Sequence, residues 1–195
     1  MIIKRERRSF AIMFLDPNGM NEFAHGDIND CKEYIIKNSS NVSRVVDKWE
    51  SLRKSVGHRT PRDVRYLKWR YGDCPELDYG IYVLVNNKVI EGLAIMRPRY
   101  WNRLKAIMLT ELFLSRPEIS VGCRLLDGLM AQLGADHIIA HFSLGTLERQ
   151  IIRECGFRSQ RQQRIVLTYS VSPFMSKASG NSSNWDLTLG DLELM

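Results

Sequence analysis

Apolar and polar positions recur along the chain at spacings that mark out strands and helices in turn. Residues 9–16 read as a strand, stopped by the turn Asp16-Pro17-Asn18-Gly19. Over residues 27–37, Ile28, Cys31, Tyr34 and Ile35 fall on one helical face, and over about 42–55 Val45, Val46, Trp49 and Leu52 do the same. Gly57 ends that second helix. Thr60-Pro61 opens another, with Thr60 as N-cap, Pro61 at the first helical position and Asp63 in the first turn. Its inward face is Val64, Leu67 and Tyr71, or Val64, Lys68 and Tyr71 in the neighbouring register, and Cys74-Pro75 breaks it.

Residues 79–85 and 88–98 read as two strands joined at the turn Asn86-Asn87, a hairpin by turn chemistry. A third strand covers 106–115. Residues 120–133 form a helix whose apolar face is Leu125, Leu126, Leu129, Met130 and Leu133, capped by Gly134. A strand at 137–142, a helix at 146–155 capped by Gly156, and a strand at 164–171 follow. The order β-α-α-β-β-β-α-β-α-β predicts an α/β chain with one mixed sheet. An antiparallel meander joins a parallel crossover, so residues 106–115 and 137–142 should run parallel with helices on both faces. Residues 1–171 are read as one domain. The Ser-, Gly- and Asn-rich residues 172–184 read as a linker, and 185–195 as an apolar tail able to dock back.

Composition changes this picture little. At 195 residues, 44% hydrophobic and 26% charged, the chain can bury a core without a staple and is not a disordered sequence. Its four cysteines are scattered with no C-x-x-C pair, which predicts reduced thiols in a cytoplasmic protein rather than a disulfide framework or zinc site. Phe10 to Leu15 is too short an apolar run for a membrane span or a signal core. A net charge of +6 comes with basic clusters at Arg5, Arg7 and Arg8, at Arg97, Arg99, Arg103 and Lys105, and at Arg158, Arg161 and Arg164. Such clusters suit nucleic acid, headgroups, a polyphosphate cofactor or plain solvation. No RNA-binding or helix-turn-helix motif accompanies them, so nucleic acid is not the expected partner. P-loop, G-x-G-x-x-G and G-x-S-x-G patterns are absent, and His137 and His141 form no ligand set by themselves.

The element order, best matched over residues 79–169, and Cys155-Gly156-Phe157 at the end of the last helix resemble the GNAT-type N-acetyltransferase superfamily. The segment Arg62-Asp63-Val64-Arg65-Tyr66-Leu67-Lys68-Trp69-Arg70-Tyr71 with Pro75 and Tyr79, and Trp185-Asp186-Leu187-Thr188-Leu189-Gly190-Asp191, look like a subgroup found with bacterial surface-polysaccharide genes. The resemblance implies acetyl-CoA as co-substrate and a small metabolite or amino sugar as acceptor, acylated on nitrogen or oxygen by direct attack on the thioester. Leu112, Phe113, Leu114 and Ser115 would then offer backbone groups to pantetheine. Arg116, Ile119, Ser120, Gly122 and Arg124 would surround the pyrophosphate, since a helix N-terminus favours anions.

The chain departs from the family pattern at that loop. Pro117 removes a donor, Glu118 adds a negative charge, and Ser120 stands in a glycine position. Ile152 stands where a tyrosine acid is common in the family, leaving Tyr100 or Tyr169 as substitutes. For the base, Glu111 is an acidic residue inside an apolar strand, where burial raises a carboxyl pKa. The competing reading makes it an exposed position or a salt bridge to Arg97 or Arg99. Asp191 is a further catalytic candidate, and Trp69 and Arg70 are candidates for binding the acceptor or for anchoring a helix. A non-catalytic binding or assembly module of the same shape is the alternative. Members of the subgroup are often longer, so the chain is also read as an isolated C-terminal half, which favours a homodimer or a separate partner.

Overall fold

The structure, a computed structural model, describes residues 12–14, 26–53, 58–73, 77–101, 104–160 and 185–192. The elements are β1 (Ile12–Phe14), β2 (Gly26–Asp30), α1 (Cys31–Lys37), α2 (Ser39–Leu52), β3 (His58–Arg59) and α3 (Val64–Leu67), which continues as a π-helical turn over Lys68–Gly72. Then come β4 (Gly80–Asn86), β5 (Val89–Trp101), β6 (Leu104–Leu114), α4 (Ile119–Leu133), β7 (His137–Ala140), α5 (Leu147–Glu154) and β8 (Arg158–Gln160). Last are β9 (Trp185–Asp186) and α6 (Leu189–Leu192).

Seven strands make one mixed sheet in the order β2-β4-β5-β6-β7-β1-β8, and β3 with β9 make a small parallel pair beside it. The β4-β5-β6 meander is antiparallel, and β6 runs parallel to β7 across α4, as the element order predicted. Helices cover both faces. A Cβ on Gly92 would touch Leu114 and Leu125, so this side of β5 and β6 packs against α4. Glu111, on the other side of β6, meets α3 and the segment around Thr188 instead. Leu125, Leu126, Leu129, Ile81, Leu93 and Trp49 are among the fully buried side chains of the core between these layers.

Local chemistry explains where the elements begin. Residues 26–30 are a strand on β4 rather than the first turn of a helix, because Asp30 caps α1 by accepting from the Glu33 N–H at 2.8 Å. Similarly, Asp63 rather than Thr60 caps α3, accepting from Tyr66 N–H at 2.7 Å. The hairpin turn falls at Asn87-Lys88, one residue later than the sequence suggested, with φ of 49° and 64°. Two consecutive left-handed residues match the twist of the flanking strands. The expected strand at 164–171, the linker at 172–184, Tyr169 and the breaks at 16–19 and 74–75 lie outside the described residues.

One expectation about the cysteines is overturned. Cys123 in the second turn of α4 and Cys155 after α5 form a disulfide, with Cα atoms 5.2 Å apart. The two helices pack side by side, which brings together cysteines that are 32 residues apart in sequence. Cys31 is a free, buried thiol. Among the described residues no helix is long and apolar enough to cross a membrane.

Candidate functional site

β6 and β7 share a register from Ala106↔His137 to Leu109↔Ala140, and there their pairing stops. Among the described residues, β6 continues to Leu114 paired with β5 alone. The chain after β7 turns instead to the C-terminal segment, through an antiparallel bridge between Phe142 and Thr188. Ser143 N–H donates to the Leu187 carbonyl at 3.1 Å, and Leu187 N–H donates to Ser143 Oγ at 2.8 Å. The two parallel strands thus part at Thr110, and Thr188 touches both sides, bridged to Phe142 and donating its hydroxyl to Glu111 at 3.1 Å. Among the described residues, such an opening leaves backbone groups on the β7 side of β6 without strand partners.

At the far end of β6, Ser115 N–H bonds the Glu91 carbonyl at 2.8 Å, and the chain turns directly into α4. Glu118 occupies the N-cap without a side-chain hydrogen bond, so the first amides, at Ile119 and Ser120, point out of the helix start. Arg116 and Arg124 both reach Glu91, at 2.7 and 2.6 Å, with their side chains 48% and 42% exposed. Burial alone would raise the Glu91 carboxyl, but the Asn86 amide and the two arginines outweigh it and hold it below the usual range. Leu112, Phe113 and Leu114 are buried, while Ile119 and Ser120 face solvent. Gly122 is not at the surface loop: it is buried, and a Cβ there would overlap Ile151 of α5. This glycine permits two helices to touch, which its reading as a phosphate-loop residue did not anticipate.

The acidic candidates converge on the opposite face. Glu111 accepts from Arg62 Nε at 3.1 and 3.2 Å, Tyr71 hydroxyl at 2.8 Å and Thr188 hydroxyl at 3.1 Å. Arg62 Nη2 also bonds Asp191 Oδ2 and donates to Thr188 Oγ1 at 3.0 Å, while its Nη1 donates to the Thr60 carbonyl at 2.6 Å. The partner of Glu111 is therefore Arg62, not Arg97 or Arg99. Glu111 is 2% exposed. Burial pushes its carboxyl up, Arg62 pulls it down, and the net direction is upward. Burial likewise lifts the Tyr71 phenol far above its usual range, with the Glu111 charge adding to it.

The remaining candidates fit this cluster unequally. Arg70 donates to the Gly190 carbonyl at 3.0 and 3.3 Å, and its guanidinium lies 5.7 Å from the centre of the Tyr71 ring. Gly190 has no room for a side chain, because a Cβ would overlap the Tyr71 hydroxyl. Trp69 points away, 65% exposed, with its ring 5.9 Å from that of Tyr66. The segments 62–71 and 185–191 thus lock onto each other through Arg62, Arg70, Tyr71, Thr188, Gly190 and Asp191, with Glu111 beneath. Sequence reasoning missed Arg62 and Thr188 as partners. The signal for Arg62 was an arginine leading an amphipathic helix, but nothing local names a carboxylate 49 residues away. Among the described residues, no group of three or more His, Cys, Asp or Glu is placed to hold a metal.

No family profile matches the chain, and no curated protein does. Solved structures are similar in shape. One is titled a probable acetyltransferase, at 12% identity and TM-score 0.49, covering 76% of this chain and 99% of its own. Another is a conserved protein of unknown function from Enterococcus faecalis V583, titled a probable N-acyltransferase, at 11% identity and TM-score 0.49; the match covers 77% of this chain but 36% of that one. A third is the C-terminal domain of a putative lysylphosphatidylglycerol synthetase from Agrobacterium fabrum, at 11% identity and TM-score 0.43, with 76% of this chain and 53% of that one covered. This chain therefore spans about a third of the second structure and half of the third.

Proposed function

We propose that the chain is an acyl-CoA-dependent acyltransferase of the GNAT type, moving an acetyl or related acyl group to the nitrogen or oxygen of a small acceptor. The observation that carries this reading is the parting of β6 from β7 at Thr110, followed at once by the uncapped start of α4. A pantetheine arm is a chain of amides, and the unpaired edge of residues 110–115 supplies complementary backbone groups. A pyrophosphate suits the free amides at Ile119 and Ser120, with Arg116 and Arg124 beside them. Both arginines already neutralise Glu91, so the local field favours an anion less than two free cations would. Cytoplasmic location, an amino-sugar acceptor and a homodimer belong to the same proposal, through the sequence resemblance alone.

Within this reading the acceptor attacks the thioester carbonyl directly. Glu111 does not reach it as the cluster stands, because its oxygens are held by three side chains. Its role is to fix Arg62, Tyr71 and Thr188 beneath the opening. Asp191 lies nearer the surface, with a side chain 10% exposed, and is the better placed of the two acids. That same locking of Glu111 favours a second reading, a binding module without catalysis. Calorimetric titration with acetyl-CoA, paired with a thiol-release assay, separates them. The enzyme reading expects binding that Ser120→Glu weakens about tenfold or more, since a carboxylate at the first turn repels the pyrophosphate without entering the core. Binding without thiol release across a panel of amines and alcohols favours the module. No heat at millimolar acetyl-CoA removes the acyl-CoA reading altogether.

A further inference from the structure

Arg149, in the first turn of α5, is 8% exposed. Its Nη1 donates to the Phe142 carbonyl at 3.1 Å, while its Nε is sealed in and has no hydrogen-bond partner. Among the described residues Nη2 has no partner either, but unlike Nε it keeps open surface. A solute can therefore reach this guanidinium at Nη2.

The charge is unmatched as well. Three arginines among the described residues are buried: Arg53, Arg62 and Arg149. Arg53 meets Glu148 and Asp186, and Arg62 meets Glu111 and Asp191. Among the described residues Arg149 meets no carboxylate, because Glu148, its neighbour in sequence, turns to Trp49 and Arg53 instead. Burial and the Arg153 charge both push the Arg149 guanidinium below its usual range, with no acid opposing them. Arg153 stands one turn further along α5 with its side chain exposed, and residues four apart on a helix are neighbours. Among the described residues it too has no acidic partner.

A buried cation without a counter-charge is costly and calls for one. A carboxylate would match one of the two guanidiniums. A phosphate monoester, with about 1.5–2 negative charges near neutral pH and three acceptor oxygens, matches both. We infer that Arg149, through Nη2, and Arg153 bind the phosphate group of a small molecule. Phe142, whose carbonyl Arg149 holds, is bridged to Thr188 where β6 and β7 part, so the site lies beside the opening. The phosphate is then borne by the acceptor of the acyl transfer. This last step rests on the acyltransferase reading; the binding itself does not.

The test is an NMR titration of the intact chain with sodium phosphate at about pH 7.5, above the second phosphate pKa. Sodium chloride at matched ionic strength and sodium acetate are the controls. Saturable shifts at the amides of 142–143 and 149–153 are expected with phosphate and not with chloride. Arg153→Gln, at an exposed position, should keep the melting temperature and weaken binding about tenfold, as the loss of one charge-assisted hydrogen bond implies. Arg149→Gln should abolish saturation, and Arg153→Gln decides if that variant does not fold. No saturable shift at these amides, shifts confined to Ile119 and Ser120, equal shifts with chloride or acetate, or a folded Arg153→Gln chain that binds as well as the wild type each overturns the inference. If phosphate binds here and acetyl-CoA does not bind, the phosphate site stands and the acyltransferase reading falls. Acetyl-CoA binding with no phosphate shifts gives the reverse. Phosphate shifts that persist at saturating acetyl-CoA support the acceptor step, and shifts lost there overturn it.

Discussion

Arg62 is wholly buried between Glu111 and Asp191, and among the described residues its guanidinium is the only cation whose side chain bonds both. Replacing it with an apolar side chain leaves two carboxylates facing each other out of water. Arg62→Met should therefore cost about 3–5 kcal/mol in chemical denaturation. Adding Glu111→Leu should recover part of that loss, since the orphaned charge goes with it. A double variant no better than the single one would mean that the cluster is not a coupled unit. Glu91 gives a second residue-scale prediction. Its folded-state carboxyl is held below the unfolded value, so the stability it contributes is present above the ordinary carboxylate range and lost as pH falls through the lowered value. The stability gap between wild type and Glu91→Gln should narrow as pH drops from about 6 to about 3. A gap that widens on acidification would reverse the assigned sign. The Cys31 thiol is pushed up to about 12 by burial, with Asp30 adding to it, so it should resist alkylation in the native chain at pH 8 and react once unfolded. Peptide mapping that finds Cys31 modified in the native chain would contradict its burial.

At the scale of elements, α4 is where the sequence was read most successfully. Its apolar face recurs at helical spacing, and Leu125, Leu126 and Leu129 are all fully buried. Leu126→Ala and Leu129→Ala should each cost about 2–5 kcal/mol by denaturation, and smaller losses would place that face elsewhere. What periodicity could not show is the company this helix keeps. Gly122 is needed because Ile151 of α5 occupies the space of a side chain, a fact about two helices that neither contains alone. For the same reason the Cys123–Cys155 bond was not foreseen, since scattered cysteines announce no pairing until the helices are packed. With a separation of 32 residues, chain entropy assigns this bond roughly 3–4 kcal/mol. Denaturation with and without reductant should show a loss of that order, and Cys123→Ser should reproduce it. Equal stability in both conditions would mean that the bond does not restrain the unfolded chain. The start of α1 went wrong in the opposite way: Ile28 fits a helical stripe and a strand equally well, and pairing with β4 decides between them.

For the molecule as a whole, the mixed sheet was legible because local signals agree with one another. The hairpin read at Asn86-Asn87 and found one residue on, the crossover from β6 through α4 to β7, and the glycine ends at Gly134 and Gly156 all state the same order of elements. The geometry around the opening was much less legible. Glu111 stood out as an acid in an apolar strand, yet its partners come from residues 49, 40 and 77 positions away. Sequence spacing carries no information about such distances once the chain has folded. We propose that acyl-CoA lies along the edge of β6 beyond Thr110 and against the start of α4. Hydrogen exchange followed by mass spectrometry, with and without acetyl-CoA, tests it where the claim is made. Binding there predicts slower exchange within residues 110–115, at amides that do not bond β5, and at Ile119 and Ser120, with no comparable change on β2 or α1. Unchanged exchange in both stretches at saturating acetyl-CoA, or protection confined to another part of the chain, would contradict it.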